Sequence, residues 1–153
     1  MKLDLSLTVN GEAVSARIEP RMHLVDFLRE VLDLTGSHAG CEHGVCGACS
    51  ILVNGQMVRG CLMLAVQAEG AEVWTVEGLT ETGAIAALQE AFVARNALQC
   101  GFCTPGMLVA AATLLKANPT PTREEIREGI SGNYCRCTGY HAIIDAIEQA
   151  ARA

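Results

Sequence analysis

The sequence predicts an α+β protein, with a strand-rich domain over residues 1–78 and a small four-helix bundle over residues 79–153. Three observations predict it. Two Asn-Gly pairs, Asn10-Gly11 and Asn54-Gly55, each lie between short strand-like runs, the signature of a tight hairpin. Beyond residue 84 the apolar residues recur at helical spacing instead. Between these regions, Gly78 to Gly83 has no periodic pattern and reads as a linker.

Taken in order, Leu3, Leu5, Leu7 and Val9 alternate with polar residues and make a first strand. Val14, Ala16 and Ile18 alternate on the return strand, which Pro20 ends. Leu24, Phe27, Leu28 and Val31 stand at i, i+3, i+4 and i+7, one face of an amphipathic helix. The stretch 37–49 is rich in Gly and Cys and reads as a loop. Residues 50–53 and 56–59 flank the second Asn-Gly turn. A helical turn is expected over 61–66, and residues 72–76 read as a last strand. Two hairpins, a crossing helix and a last strand form a β-grasp arrangement.

In the second half, Ile85, Leu88 and Phe92 mark one helix. Thr104-Pro105 reads as an N-cap followed by proline at the first helical position, opening a helix that is apolar all round and is expected to be buried on most sides. Asn118-Pro119 stops it. Thr122 and Glu125 form a capping box for a third helix carrying Ile126 and Ile130. Tyr140, Ile143, Ile144 and Ile147 give the fourth.

Half of the 153 residues are hydrophobic but only 4% are aromatic, so the core must be aliphatic. A net charge of −6 with no basic run argues against nucleic acid as a partner. The N-terminus alternates polar and apolar residues and lacks a signal-peptide core, and no apolar stretch is long enough to span a membrane. A cytoplasmic location is expected. Thiols stay reduced there, so the eight cysteines point to metal binding rather than disulfides.

Those cysteines fall into two sets of four with none left over. Cys41, Cys46, Cys49 and Cys61 read C-x4-C-x2-C-x11-C, and Cys100, Cys103, Cys135 and Cys137 read C-x2-C-x31-C-x-C. Four thiolates are the ligand complement of one [2Fe–2S] cluster, and the first spacing is the plant-type ferredoxin pattern. A loop wrapping a cluster needs positive φ at several positions, which Gly40, Gly44 and Gly47 can supply. Each half of the second set feeds a helix N-terminus, where unpaired N–H groups favour bound thiolates. A four-cysteine zinc site is the rival for both sets. His43 resembles half of a Rieske pair, but Cys46 and Cys49 have no histidine beside them, so it reads as a loop residue. Haem attachment fails because Ser50 and Thr104 stand where C-x-x-C-H needs histidine. Trp74 reads as a core or interface residue rather than an electron relay.

The motifs GCEHGVCGAC, QCGFCTPGM and GNYCRCTGY, in this order and at these distances, resemble the small iron–sulfur subunit of the molybdenum hydroxylases, the xanthine oxidase family. The resemblance implies a ferredoxin-like N-terminal domain holding a distal cluster and a helical domain holding a proximal one. It implies a large partner subunit carrying molybdopterin, with the cytosine dinucleotide form expected, and a medium FAD-binding subunit or another acceptor. It also implies that Gln99 and Cys137 lie against the pterin. Arg136, between two ligands, is then a charge partner for the cluster, the pterin phosphate or the partner chain.

The resulting function is an electron-transfer subunit that turns over no substrate alone and passes electrons singly from molybdenum to a flavin or external acceptor. A free ferredoxin-like carrier and a zinc-stabilised interaction module are the competing readings. No residue identifies the substrate of the whole enzyme.

Overall fold

The computed structural model describes residues 1–153. Strands β1 (Leu3–Val9) and β2 (Glu12–Ile18) form the first hairpin, and β3 (Ser50–Val53) and β4 (Gln56–Arg59) the second. Asn10 and Gly11, and likewise Asn54 and Gly55, all have positive φ, as two-residue turns between right-twisted strands require. Strand β5 (Glu72–Trp74) lies between the hairpins, giving the order β2-β1-β5-β3-β4. It pairs parallel to β1 and antiparallel to β3. A short helix α1 (Leu24–Asp26) runs directly into a π-helical turn (Phe27–Val31) and covers one face of the sheet. Leu24, Phe27 and Leu28 bury fully there against Leu5, Leu7, Ile51 and Val73.

The expected regular helix over 24–31 is therefore widened. The Leu32 amide reaches back five residues to Phe27 O. The turn leaves Arg29 holding the Thr35 and Ser37 carbonyls at 2.6 and 2.9 Å, which anchors the approach to the first cysteine loop. The turn expected over 61–66 is a 3₁₀ segment slightly later, Ala65–Ala68.

A second core lies in the helical half. It gathers Ile85, Leu88, Phe92, Met107, Ala111, Ile126, Ile143 and Ile147 from α3 (Ala86–Ala94), α4 (Thr104–Ala117), α5 (Arg123–Gly129) and α6 (His141–Ala150). These are the four helices read from periodicity. The stretch read as a linker is instead largely a fifth, α2 (Val76–Glu81). It is too short to show a period, and its glycine hides it. Gly78 sits there because a Cβ would run into the Asn10 side chain. Asn10 in turn grips Thr75, with Nδ2 donating to Oγ1 at 2.9 Å and Oδ1 accepting from the amide at 2.8 Å. The polypeptide thus passes from sheet to helices through a hydrogen-bonded corner.

Helix α4 starts one residue earlier than its capping signal implies. Cys103 is its N-cap, Thr104 and Pro105 stand inside the first turn, and the Thr104 hydroxyl is buried without a partner. Burial is complete from Gly106 to Ala111, where α4 lies against β3, and weakens after that. The capping box of α5 forms as read: Thr122 Oγ1 accepts from the Glu125 amide and Glu125 Oε2 from the Thr122 amide.

Candidate metal centres

Residues 37–49 leave the π turn as an irregular loop held at both ends. Arg29 fixes its start, and the His38 amide donates to Ala48 O at 3.3 Å. Glu42, Gly44 and Gly47 have positive φ, so the loop coils tightly. Gly40 does not. A side chain there would be crowded, since a Cβ would lie 3.1 Å from Cys46 Sγ and 3.3 Å from the Phe102 ring.

Inside this coil the amides of His43 and Cys46 both point at Cys41 Sγ, each 3.5 Å away. The imidazole of His43 turns to its own loop, Nδ1 lying 2.7 Å from Cys41 O. The Cys46 amide is the largest influence drawing the Cys41 thiol down to about 6. Cys49 and Cys61 lie deeper, 1% and 2% exposed. Burial pushes the Cys61 thiol up to about 11, and the adjacent Cys49 adds to the rise. Two such thiols oppose each other's ionisation unless a positive centre stands between them.

The second set joins two loops. Cys100 and Cys103 come from the turn before α4, with the Phe102 amide 3.5 Å from Cys100 Sγ. Cys135 and Cys137 come from the turn before α6. Here the sequence reading missed two residues. Thr138 Oγ1 donates to Cys135 Sγ at 3.2 Å, and Tyr140 OH accepts from the Cys135 amide at 3.0 Å. The C-T-G-Y run carried that signal: Gly139 and Tyr140 both take positive φ, which folds the tyrosine back under the loop. Burial pulls the Cys135 thiol upward, but the Thr138 hydroxyl and amide and the Cys137 amide bring it below its ordinary value. Burial pushes Cys103 up to about 12, with Cys135 beside it adding to the shift. No group of three or more His, Cys, Asp or Glu side chains is arranged to hold a single metal ion. Within each set the thiols lie close enough to influence one another, Cys41 with Cys46, Cys61 with Cys49 and Cys41, and Cys103 with Cys135 and Cys100. Sets of four thiolates, with amide and hydroxyl donors aimed at sulfur, suit a two-iron cluster.

Gln99 and Cys137, distant in sequence, are brought together: Gln99 Nε2 donates to Cys137 O at 3.1 Å. Both are exposed, as are Cys100 and Arg136. Trp74 is half-buried on β5, its Nε1 donating to Glu72 at 2.9 Å, and belongs to the sheet rather than to either cysteine set.

The two loops also touch each other. The Tyr134 amide donates to Cys46 O at 2.8 Å, and the rings of His38 and Phe102 stack with centroids 4.6 Å apart.

The fold and its two thiol quartets define an iron–sulfur protein built to hold two [2Fe–2S] clusters. Residues 7–79 match the 2Fe-2S iron-sulfur cluster binding domain, and residues 75–148 match the [2Fe-2S] binding domain. The gamma subunit of caffeine dehydrogenase from Pseudomonas sp. strain CBB1 is 55% identical over 94% of this chain and 88% of its own length. The small subunit of nicotine 6-hydroxylase from Paenarthrobacter nicotinovorans is 51% identical over 97% of this chain and 90% of its own. Among solved structures, quinoline 2-oxidoreductase from Pseudomonas putida 86 superposes with a TM-score of 0.94 at 55% identity, covering 99% of this chain and 95% of that one. The chain belongs to the small iron–sulfur subunits of the molybdenum hydroxylases. It is the electron-transfer component of a multi-subunit oxidoreductase. No helix in it is long and apolar enough to cross a membrane.

Proposed function

We propose that electrons enter this chain at the exposed edge formed by Gln99, Cys100 and Cys137, cross to the N-terminal half, and leave near Cys41. In this reading Cys100, Cys103, Cys135 and Cys137 hold the proximal cluster, and Cys41, Cys46, Cys49 and Cys61 hold the distal one. A [2Fe–2S] cluster supplies one-electron chemistry when bound, taking up and giving back a single electron. The protein contributes the ligands, the donors that tune them and a short path between the quartets. The observation that carries the reading is the 2.8 Å hydrogen bond from the Tyr134 amide to Cys46 O. Tyr134 precedes Cys135, so this contact joins the two quartets through backbone alone. The separate cores of the two halves support the division of labour between residues 1–78 and 79–153.

The partner at the entry edge is a large subunit carrying molybdopterin in its cytosine dinucleotide form, with Gln99 and Cys137 against the pterin. The acceptor at the exit edge is an FAD-binding medium subunit or an external carrier. The complex works in the cytoplasm. Its substrate is a nitrogen heterocycle, supported by the relatives named for caffeine, nicotine and quinoline. The test is rapid-mixing reduction of the assembled enzyme by such a heterocycle. In Gln99→Ala, molybdenum reduction persists but electrons leave it more slowly. In Cys137→Ala, the distal cluster and the acceptor receive electrons poorly. Wild-type acceptor reduction in Cys137→Ala would overturn the path, and stoichiometric zinc in place of iron would overturn the whole reading.

A further inference from the structure

We infer that Asn133 and Arg59 form a clasp that fixes the spacing of the two thiol quartets, and are positioning residues for electron passage between them. The inference rests on the ligand assignment proposed above.

The clasp flanks the backbone bridge residue by residue. Gly47 follows Cys46, and Asn133 precedes Tyr134. Asn133 is 2% exposed, and its Nδ2 donates to Gly47 O at 3.0 Å and to Ser50 Oγ at 3.3 Å. A hydrogen bond parallel to the bridge is thereby placed beside it. Arg59 closes the other side. Its Nη2 donates to Gly132 O at 2.8 Å, while Nη1 donates to Ser50 Oγ at 2.6 Å. Ser50 Oγ gives its own proton to Gly47 O at 2.6 Å, so its one donor and two acceptor sites are all used. The contacts form a closed ring through Gly47, Ser50, Arg59, Gly132 and Asn133.

The backbone leaves this ring no slack. A Cβ on Gly47 would lie 2.5 Å from Gly132 O and 2.6 Å from Asn133 Nδ2, and one on Gly106 would meet Gly47 O. None of the ring's side chains belongs to either apolar core. Burying polar groups at a seam is costly unless every contact is made, and apolar side chains would join the halves more cheaply. The ring is satisfied except at Asn133 Oδ1, which is buried without a partner. What such a directional ring adds is a fixed distance and direction between the residues it links. Those residues neighbour one ligand of each quartet, Cys46 and Cys135. In one passage the Cys100–Cys137 side is oxidised by one electron as the Cys41–Cys61 side is reduced by one, with no bond made or broken. The clasp sets the gap that electron crosses.

The experiment uses the assembled, fully loaded enzyme carrying Arg59→Met, Arg59→Lys or Asn133→Leu in this chain. Iron and sulfide content and the two cluster potentials are measured first. Unchanged values show that the ligand assignment stands and that any effect lies in spacing. The reads are the magnetic splitting between the two reduced clusters, the rate of electron passage between them, and exchange of the Tyr134 amide. In Arg59→Met we expect weaker splitting, a several-fold slower passage and faster amide exchange, with much of each recovered in Arg59→Lys. Asn133→Leu should act in the same direction, and Arg59→Met decides the matter if that variant does not fold. Wild-type splitting and rate in Arg59→Met would overturn the inference. So would a slower rate accompanied by shifted cluster potentials, because the effect would then lie at the clusters.

Discussion

At the scale of single residues, the two quartets differ in how their sulfurs are served. Cys41 receives two backbone amides, whereas Cys135 receives a side-chain hydroxyl. A donor aimed at sulfur stabilises the more negative, reduced cluster and raises its potential. Thr138→Val keeps the shape and removes the donor. A hydrogen bond to a charged acceptor is worth about 1.5 kcal/mol, so the loss should lower the potential of the helical-half cluster by up to about 60 mV for one electron. A redox titration followed by electron paramagnetic resonance reads this shift, and the other cluster should stay put. Cys46→Ala tests the ligand partition itself. About four iron and four acid-labile sulfide per chain should fall to about two of each, with one resonance signal lost and one kept. Loss of both signals from a chain that remains folded would refute that partition. The grouping of the eight cysteines into two sets of four is read from spacing alone. Thr138 and Tyr140 are not, because their roles depend on a left-handed turn that brings residues just after the ligands back beneath them.

At the scale of elements, periodicity read the long helices and alternation read the strands, but short or irregular pieces escaped. Helix α2 has only six residues, less than two turns, and the π turn keeps a helical apolar face while changing its hydrogen bonds. Gly40 was read as a residue needing positive φ, yet it is confined by sulfur and an aromatic ring instead. Two substitutions separate such local rules from tertiary ones. In an isolated helix, alanine for glycine gains about 1 kcal/mol. Gly106→Ala in α4 should instead lower stability by about 1–3 kcal/mol, because its methyl meets Gly47 O at the seam. Thr122→Ala, which removes the exposed capping bond of α5, should cost about 1 kcal/mol. Denaturant unfolding of the loaded protein measures both. A stabilised Gly106→Ala would mean that the seam is looser than described.

At the scale of the whole molecule, two mainly aliphatic cores meet where α4 lies on β3 and are clasped beside that contact by a polar ring, and apolar side chains are left on the surface near each quartet. Phe102 and Tyr134, 46% and 54% exposed, stand beside the second, and Val45 and Leu62 beside the first. An apolar aromatic next to a functional edge is a strong candidate for an interface anchor, and truncating such anchors costs about 2 kcal/mol or more. Tyr134→Glu should therefore weaken association with the large subunit by at least about tenfold, measured by co-purification and sedimentation, while iron content is unchanged. Unaltered assembly would place the interface elsewhere.

The parallel pairing of β1 with β5 has a consequence in time. Strand β1 spans Leu3–Val9, yet its central partner is Glu72–Trp74. During synthesis the sheet has no middle until Trp74 has emerged, and by then all four cysteines of the first quartet are out. The second quartet begins only at Cys100, a second or several behind at roughly 5–20 residues per second. The N-terminal half can therefore reach its folded form on the ribosome before the other quartet exists. Chain topology thus allows the two quartets to mature in sequence, the N-terminal one first, and the seam can close only after both halves have formed.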